Sequence, residues 1–581
     1  MKTLFHILQE GFTQTIADAY PDLSESQVSA DIAPCNHEGF GHYQCNSALR
    51  LAKILKKPPR EVAQQIIKAA ASKIGSLCDQ IEIAGPGFIN ITLSSLMLSQ
   101  EVQGLLSDPF LGADRTKTPQ KIIVEFSSPN IAKELHVGHL RSTIIGDCLA
   151  RLFEFLGDDV LRLNHIGDWG TQFGMLIAYI QEHKEWKEGD RVTLSELMAW
   201  YRSSKEEFDR DPQFKKRAQA QVVKLQSGDD EAMRMWRAIC ATSREGFAEI
   251  YKLLDVHIEE RGESFYNPFL KEMVDELDRK GLLSLSDGAK CVFLEGFVNR
   301  EGEPLPLMVQ KSDGGYNYDT TDMAALRYRI FQDHADRIII VTDQGQSLHF
   351  QLVFKAGERA GWFHDGKPAV DHVAFGLVLG PDGKKFKTRS GETEKLLDLL
   401  NGGVEKAKMI ISERLPDISR EELDHLAHVI GIGALKYADL SSHRTKDYTF
   451  SYDRMLRFEG NTAVFLLYSY VRINGIKRKT NRSLAQLIKN EKIELTHPSE
   501  MALGLHVRRF GETLEMLARD LLPNRLTDYL YELAEKFNAF FRDCRVEGSK
   551  EEASRLLLCE ATARVFKQGL HILGLKTVDR M

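Results

Sequence analysis

Apolar residues follow a helical period along most of this chain and a strand period in a few short runs. In the first part, helical spacing recurs in residues 49–55 and 62–71. Residues 81–91 then alternate between apolar and polar around a Gly-Pro-Gly turn, which predicts a hairpin. We therefore predict a small α+β module over residues 1–114.

The central part of the chain alternates strand and helix patterns. Apolar runs at 122–126, 160–163, 337–342 and 369–379 have the length of buried strands, and helical spacing follows the first and third of them. Such an alternation predicts a parallel sheet whose strands are joined by right-handed crossovers. A charged, mostly helical stretch interrupts it.

The predicted fold class is α/β. A Rossmann-like parallel-sheet domain occupies residues 115–395 and carries a helical insertion at about 182–300. The small α+β module precedes it, and an all-α bundle over residues 396–581 follows it. Three domains agree with a length of 581 residues, because a single core rarely extends past about 300 residues.

Composition and charge say more about the cellular compartment of the protein than about its function. The formal net charge is -7, so any binding to nucleic acid depends on local basic surfaces. The eight cysteines are scattered without a C-x-x-C pair, which argues against structural zinc and disulfides. No stretch has the length of a membrane span or the apolar core of a signal peptide, so we predict a cytoplasmic protein without a membrane partner.

Two histidines stand at the predicted start of the helix that follows the first buried strand. The strand ends in Ser-Ser-Pro-Asn, and the string His136-Val-Gly-His139 comes shortly afterwards. Unpaired N–H groups at a helix start favour an anion, and Gly138 allows a ligand to approach the backbone. An incidental histidine pair is the alternative, but the strand and helix around it favour a nucleotide-phosphate site.

A second motif is the basic loop at the exit of the last predicted strand. It reads Gly-Pro-Asp-Gly-Lys-Lys-Phe-Lys-Thr-Arg-Ser-Gly from residue 380 and includes Lys385, Lys387 and Arg389. A solvated basic loop is an equally good interpretation of this segment alone. Beside a phosphate-binding helix, its cations would neutralise a triphosphate as pyrophosphate leaves.

Several strings of the chain match one family closely. The class consensus motifs His-Ile-Gly-His and Lys-Met-Ser-Lys-Ser appear at residues 136–139 and 385–389. The strings SSPNIAK, LRSTIIGD, GDWGTQFG and YDTTD, and the final Asp-Arg-Met, are each close to a longer pattern. The chain thus resembles a class I aminoacyl-tRNA synthetase, specifically the bacterial type of arginyl-tRNA synthetase, over essentially its whole length.

The resemblance implies an ATP-dependent ligase that joins L-arginine to its cognate tRNA. Arginine and ATP would form arginyl-adenylate and pyrophosphate, and the terminal ribose of the tRNA would accept the arginyl group with release of AMP. The implied cofactors are ATP and the Mg²⁺ bound with it, without zinc or a protein-held metal, and the enzyme is expected to be a monomer. A further hypothesis carried over from the family is that tRNA must bind before the adenylate forms.

By the same resemblance, ATP lies against both motifs. The matched ATP-binding positions are His136, Gly138, His139, Lys385, Lys387 and Arg389. The two histidines and the two lysines also match catalytic positions. Thr388 replaces the second lysine of the class consensus, and Lys133 matches the lysine that family members of this kind carry before the histidine motif. Our hypothesis is that Lys133 supplies the missing catalytic charge.

A site selective for arginine needs carboxylates, because the guanidinium offers five donors in a planar fork. Tyr318 and Asp322 are four residues apart at a predicted helix start and would share one face. Without the resemblance, a strand-end glutamate and a capping aspartate are more ordinary interpretations, and His349 fits a core position equally well. The arginine-binding positions that the resemblance implies are Glu125, Asn130, Tyr318, Asp322 and Gln346.

Basic and aromatic side chains interleave in the C-terminal bundle, where the family reads the anticodon. Cations contact phosphates and aromatic rings stack on unpaired bases, although a solvated helix face is a comparable alternative. The N-terminal module is expected to bind tRNA as well. The predicted tRNA contacts are Arg472, Lys477, Tyr529, Tyr531 and Met581, with Arg508 and Arg509 farther along the bundle.

Two other functions were weighed against this interpretation. A cysteinyl or glutamyl synthetase would share the histidine motif but not the acidic pocket, and the cysteinyl enzyme would need zinc ligands that the sequence lacks. A non-catalytic RNA-binding paralogue would be expected to lose the histidines or the basic loop, and both are present.

Overall fold

The chain folds into two compact units. The structure, a computed structural model, describes all residues except 36–37, 71–73, 185–191, 300, 381, 385–394 and 481. The first unit consists of residues 1–117, 457–572 and 576–581, and the second of residues 118–456 and 573–575. The predicted boundary near residue 395 differs from this division. Within the described residues, no helix is long and apolar enough to cross a membrane.

The N-terminal segment is a small α+β module. It contains α1 (Leu4–Ala19), α2 (Glu25–Val28), β1 (Ile32–Pro34), β2 (Tyr43–Cys45), α3 (Ser47–Leu55), α4 (Pro59–Ala70), β3 (Cys78–Ala84), β4 (Phe88–Leu93) and α5 (Ser95–Leu105). The strands form one antiparallel sheet in the order β1-β2-β4-β3. The predicted hairpin is β3–β4, which turns at Gly85 and Gly87 with φ angles of 51° and 154° that glycine adopts without strain.

A parallel sheet forms the centre of the second unit. The strands of this unit are β5 (Lys121–Glu125), β6 (Asp159–Asn164), β7 (Glu259–Glu260), β8 (Leu283–Ser286), β9 (Ala289–Val298), β10 (Pro304–Gln310), β11 (Arg337–Ile340), β12 (Ala369–His372), β13 (Val378–Leu379) and β14 (Tyr448–Thr449). Five of them run parallel in the order β12-β11-β5-β6-β7. The connections change direction between β5 and β11, which is the point where open parallel sheets bind ligands.

Helices pack around this sheet. They are α6 (Val137–Leu156), α7 (Thr171–His183), α8 (Leu194–Arg210), α9 (Pro212–Gln226), α10 (Asp230–Leu253), α11 (Glu263–Arg279), α12 (Tyr318–Phe331), α13 (Ser347–Arg359), α14 (Leu396–Arg414), α15 (Arg420–Leu440) and α16 (Tyr452–Met455). Residues of α11, α12 and α13 share one core with Ile123 of β5 and Ile338 of β11. Helix α6 is buried along most of its length and ends at Gly157, a left-handed C-cap with φ 96°.

Two parts of the second unit differ from the prediction. The insertion is not wholly helical, because β8, β9 and β10 form a three-stranded antiparallel sheet. The apolar run 369–379 is not one strand, because β12 ends at His372 and β13 pairs with β14 instead of the parallel sheet. Gly376 lies at this break, and a Cβ there would come 2.8 Å from the backbone of Lys446. The close approach of two backbones redirects the chain.

The C-terminal part of the first unit is the predicted all-α bundle. Its helices are α17 (Ala463–Thr480), α18 (Leu484–Asn490), α19 (Pro498–Arg508), α20 (Phe510–Asp520), α21 (Asn524–Asp543) and α22 (Glu552–Ile572). Buried polar contacts join it to the N-terminal module within the same unit. The hydroxyl of Tyr43 donates to Glu512 at 2.7 Å, and the guanidinium of Arg509 lies 4.6 Å from the centre of the Tyr43 ring. Arg508 is fully buried and pairs with Glu101 at 2.8 Å.

Residues 573–575 belong to the second unit although helices α17 to α22 separate them from its remainder. A buried lysine holds them there. The ammonium of Lys436 on α15 donates to the carbonyls of Leu254 and Gly574, each at 2.7 Å. Its burial lowers the pKa of Lys436 to about 8.

Buried ion pairs fix helix α6 at two levels. Arg141 and Asp439 are both fully buried, with 3.0 Å between Nε and Oδ2, and the same guanidinium donates to the carbonyl of Gly376 at 2.7 Å. One turn and a half farther along, Asp147 accepts hydrogen bonds from Arg151 at 2.8 Å and from Arg162 on β6 at 2.6 Å. These contacts join α6 to α15 and to the parallel sheet.

We expect Arg141→Met to lower the free energy of unfolding of the second unit by about 3 to 5 kcal/mol, because it leaves the Asp439 carboxylate buried without a partner. Adding Asp439→Asn should recover a large part of the loss, because the uncompensated charge is then gone. Urea unfolding followed by tryptophan fluorescence measures both variants. An equal loss in the single and the double variant would show that packing and not charge determines the effect.

Candidate active site

Most of the predicted catalytic, ATP-binding and arginine-binding residues converge on one cleft in the second unit. A cavity of about 860 Å³ opens where β5, β6 and β11 end, on the side where parallel sheets bind ligands. The predicted residues that line it are Glu125, Asn130, His136, Gly138, His139, Tyr318, Asp322 and Gln346. The fold therefore brings segments together that are far apart in the chain.

The turn between β5 and α6 has an unusual backbone. Ser127, Ser128 and Ala132 adopt positive φ angles of 70°, 47° and 59°. Side chains hold this turn in place, because Ser142 accepts from the N–H of Ser127 and Asn164 accepts from that of Ser128, both at 2.9 Å. Strained backbone of this kind concentrates at binding sites, where the surrounding structure maintains it.

The two histidines cap helix α6 reciprocally. Nδ1 of His136 accepts from the N–H of Gly138, and Nδ1 of His139 accepts from the N–H of His136, each at 3.0 Å. The ring centres are 4.0 Å apart. A Cβ on Gly138 would lie 2.9 Å from the His136 ring, which explains the glycine between them.

Burial decides the protonation of His139, and the cap decides which nitrogen carries the proton. Burial, followed by the charges of His136 and Lys133, lowers the pKa of His139 to about 3. The imidazole is therefore neutral at physiological pH, and because Nδ1 accepts a hydrogen bond its proton is on Nε2. In this tautomer His139 offers an N–H donor at a position that lines the cleft.

Glu125 ends strand β5 and is already paired inside the protein. It is only 4% exposed, and its Oε2 lies 2.5 Å from Nη2 of the buried Arg329. Although burial opposes the charged guanidinium, Glu125 raises the pKa of Arg329 above its ordinary value. The Glu125 carboxylate faces the cleft. It is also buried and salt-bridged, which agrees with the ordinary interpretation of a strand-end glutamate.

Helix α12 begins at Tyr318 and brings Tyr318 and Asp322 to the cleft, one turn apart. The capping role considered for the aspartate belongs instead to Asn317, whose side chain accepts from the N–H of Thr320. The carboxylate of Asp322 contacts Nε2 of His349 at 2.6 Å. His349 also lines the cleft, so the structure places this ambiguous histidine at the site.

Asn130 and Gln346 reach the cleft from loops. A Cβ on Gly167 would lie 2.1 Å from Oδ1 of Asn130, so the loop after β6 approaches the asparagine as closely as a glycine allows. Gln346 directly precedes α13, and its N–H donates to the carbonyl of Asp343 at 3.0 Å. Both amides lie at the point where the sheet connections change direction.

Glu263 is a cleft residue that sequence reasoning missed. It is the first residue of α11 and lines the cavity. Burial, and then the charges of Asp322 and Asp168, raise the pKa of Glu263 to about 8. A carboxyl group perturbed in this way inside a cleft is a candidate binding residue. The only sequence feature that could have indicated Glu263 is its position at a helix start. It was missed because the insertion around it contains many other charged residues.

None of the predicted basic groups is found in the described lining of the cleft. Lys133 is exposed and is not among the described residues that line the cleft. Lys385, Lys387 and Arg389, like Thr388, lie outside the described residues. Their roles stay predictions.

Comparison with known proteins decides the family. The class I tRNA synthetase (R) catalytic domain matches residues 101–452, the arginyl tRNA synthetase N terminal domain matches residues 6–93, and the DALR anticodon binding domain matches residues 466–581. The chain is 60% identical over 585 residues to the arginine–tRNA ligase of Protochlamydia amoebophila and 52% identical over 579 residues to that of Chlamydia felis, with all of each chain covered. The chain belongs to the arginyl-tRNA synthetase family.

Solved structures agree with this membership. The crystal structure of the Plasmodium falciparum arginyl-tRNA synthetase is 34% identical, covers both chains completely and superposes with a TM-score of 0.86. The Thermus thermophilus arginyl-tRNA synthetase, 22% identical with a TM-score of 0.78, has the same fold. The predicted fold class and the ATP-dependent ligation of arginine to tRNA are therefore confirmed.

The anticodon-binding domain of this synthetase contains a basic and aromatic surface. The guanidinium of Arg472 lies 4.7 Å from the ring centre of Tyr468 and 5.2 Å from that of Phe541. Tyr531 is half-buried, with its ring 5.7 Å from Phe465. Such a combination of a cation and exposed rings suits unpaired bases.

Other predicted tRNA contacts are less available. Tyr529 is buried and its hydroxyl donates to the carbonyl of His506 at 2.8 Å, so its ring belongs to the core. Lys477 pairs with Glu560 at 2.6 Å, and Met581 is half-buried. The buried Arg508 contributes to packing within the first unit. We therefore leave Tyr529 out of the proposed RNA surface.

One cluster of the synthetase has the spacing of metal ligands within the described residues. It consists of Glu182, His183 and Glu207 and does not line the cleft. Arg217 already pairs with Glu182 at 2.5 Å. The cluster is an ordinary surface charge network.

We expect His139→Asn to separate the two roles of this histidine. The asparagine amide keeps an acceptor for the N–H of His136 but removes the Nε2 donor, so the rate of adenylate formation should fall about 10² to 10³-fold with little change in stability. His139→Ala should lose the same rate and also about 0.5 to 2 kcal/mol of stability, because the cap is gone. Pyrophosphate exchange and thermal unfolding give the two readouts. A wild-type rate in His139→Asn would rule out the donor role.

Proposed function

We propose that the cleft binds arginine with its guanidinium at Asp322, Tyr318 and Glu263 and ATP with its phosphates at the start of α6. The observation that carries this proposal is that an acidic pocket and a histidine-capped helix start line the same cavity. Glu125 contributes to the pocket while paired with Arg329. Asn130 and Gln346 orient the amino and carboxylate groups of the amino acid.

The arrangement supplies positioning and charge stabilisation in place of covalent chemistry. A carboxylate oxygen of arginine attacks the α-phosphorus of ATP, and the bond from that phosphorus to the bridging oxygen breaks as pyrophosphate leaves. The positive end of the α6 dipole and the neutral Nε2–H of His139 stabilise the charge on the phosphorus centre. The 2′-hydroxyl of the terminal tRNA ribose then attacks the arginyl carbonyl, and AMP leaves.

The remaining cations complete this proposal. Lys385, Lys387 and Arg389 close on the leaving pyrophosphate, and Lys133 supplies the charge that Thr388 does not. We propose that Mg²⁺ enters on the phosphates of ATP and not at a protein site. Glu125 and Asp322, two carboxylates that face the cleft, already pair with Arg329 and His349.

The tRNA is held by the Arg472, Tyr468, Phe541 and Tyr531 surface, with Lys477 and Met581 at its margin and the N-terminal module as a further contact. We also propose a cytoplasmic monomer. Its mass of 65.9 kDa would then be the mass found in solution by light scattering.

We expect the protein to exchange pyrophosphate into ATP with arginine as the amino acid, and only when arginine-accepting tRNA is present. Lysine and glutamate serve as controls, because an ammonium or a carboxylate does not satisfy a pocket built for a planar fork. Exchange without tRNA would support the ligase activity but contradict the hypothesis that tRNA must bind first. No exchange, with or without tRNA, would favour the non-catalytic RNA-binding alternative.

We expect Asp322→Asn to weaken arginine binding at least 30-fold, which corresponds to about 2 kcal/mol, because it removes the charged acceptor of a charge-assisted pair. Titration calorimetry of the full chain with arginine measures the dissociation constant without catalysis. Asp287→Asn is a matched control in an exposed hairpin turn, where asparagine tolerates the positive φ of 50°. Unchanged affinity in Asp322→Asn would remove this residue from the proposed pocket.

A further inference from the structure

Helix α12 presents two carboxylates, Asp319 and Asp322, three residues apart and hence on one face. Only Asp322 lines the cleft. His349, the third residue of α13, lies between them: its Nε2 is 2.6 Å from Oδ2 of Asp322, and its Nδ1 is 3.2 Å from Oδ1 of Asp319. One imidazole thus bridges both acids.

This bridge requires a charged ring. A neutral imidazole has a proton on only one nitrogen, and both nitrogens here face carboxylate oxygens, so both carry protons. The start of a helix is an unfavourable place for a cation, which means that the two carboxylates determine the charge. Although burial opposes it, the hydrogen bonds to Asp319 and Asp322 raise the pKa of His349 to about 9.

We propose that His349 is a positioning residue for arginine recognition, which fixes the Asp322 carboxylate and balances its charge beside the second acid, Asp319. The inference rests on the proposed role of Asp322 as a guanidinium acceptor. It assigns no contact between His349 and the substrate. The cation acts by balancing one of two neighbouring negative charges.

His349 makes a shorter contact with Asp322 than the other histidine beside it does. Asp322 has one other histidine nearby, with Nε2 of His165 at 3.5 Å from its Oδ1. The pKa of His372, which is lowered to about 4 mainly by burial, keeps that ring neutral. The charged and titratable groups that face the bridge from other elements or from the same helix are His165, Glu263, Cys291, Tyr318, Arg329 and His372.

Removal of the cation should make arginine binding depend on pH. In His349→Gln the two carboxylates repel each other without compensation, and this repulsion favours the uptake of one proton by the pair as the pH falls. A protonated acid accepts a guanidinium less well than an ionised carboxylate does. The ratio of the dissociation constants for arginine, variant over wild type, should therefore increase at least tenfold as the pH falls from 8.5 to 5.5.

A second substitution distinguishes charge from packing. Adding Asp319→Asn to His349→Gln removes the like charge. The ratio of the dissociation constants, double variant over wild type, should then be nearly constant with pH. At every pH it should stay within about threefold of its value at pH 8.5. A purely structural role of His349 predicts the same loss of affinity at every pH, without relief by Asp319→Asn. That result would overturn the inference.

The measurement is titration calorimetry of the full-length protein with arginine from pH 5.5 to 8.5, with circular dichroism to verify folding of each variant. Asp322→Asn is included in the same series. If it binds arginine as the wild type does, the proposed role of Asp322 has failed. If it loses affinity while His349→Gln shows a flat ratio, only the role of His349 has failed.

Discussion

The site depends on how firmly helix α6 is held. Its first turn contains both histidines, and a shift of about 1 Å at such a turn is enough to misplace catalytic donors. The ion pairs of Arg141 with Asp439 and of Asp147 with Arg151 and Arg162 fix the helix at two points behind this turn. Because these charges are buried, the helix cannot move without separating charges in a medium of low polarity. The two histidines are therefore held on a rigid helix.

In the cleft, too, charged side chains are paired inside the protein. Free carboxylates would attract any cation, including a metal ion, and would repel one another until some of them took up protons. The protein instead supplies an internal cation for two of them, Arg329 for Glu125 and His349 for Asp322. Glu263 has no such partner among the contacts described above and holds its proton near neutrality, with a pKa of about 8. Of these three carboxyl groups, two are therefore balanced by an internal cation and one by a proton.

Sequence patterns predicted the parts that local chemistry determines. The strand, turn and helix around the histidines follow from apolar spacing and from Ser-Ser-Pro-Asn, and the pairing of Tyr318 with Asp322 follows from a helix start. The antiparallel sheet of β8, β9 and β10 was missed because its strands contain Pro304, Pro306 and Gly296, which weaken a strand pattern. Glu263 and the partners of Glu125 and Asp322 were missed for another reason. They come from distant segments, and no spacing in the sequence shows which buried cation will face which carboxylate.

The contact between Lys436 and residues 573–575 joins a part of the second unit that is synthesised early to a part that is synthesised last. Lys436 is synthesised, with the rest of the second unit, before helices α17 to α22, but its acceptor at Gly574 comes after all of them. Domains fold as they emerge during translation. A nascent chain therefore holds a folded sheet and cleft whose buried ammonium still lacks one of its two carbonyl acceptors. Only after the last bundle helix has been translated does the catalytic unit become complete, so a prematurely terminated chain would retain every cleft residue and yet lack its final stabilising contact.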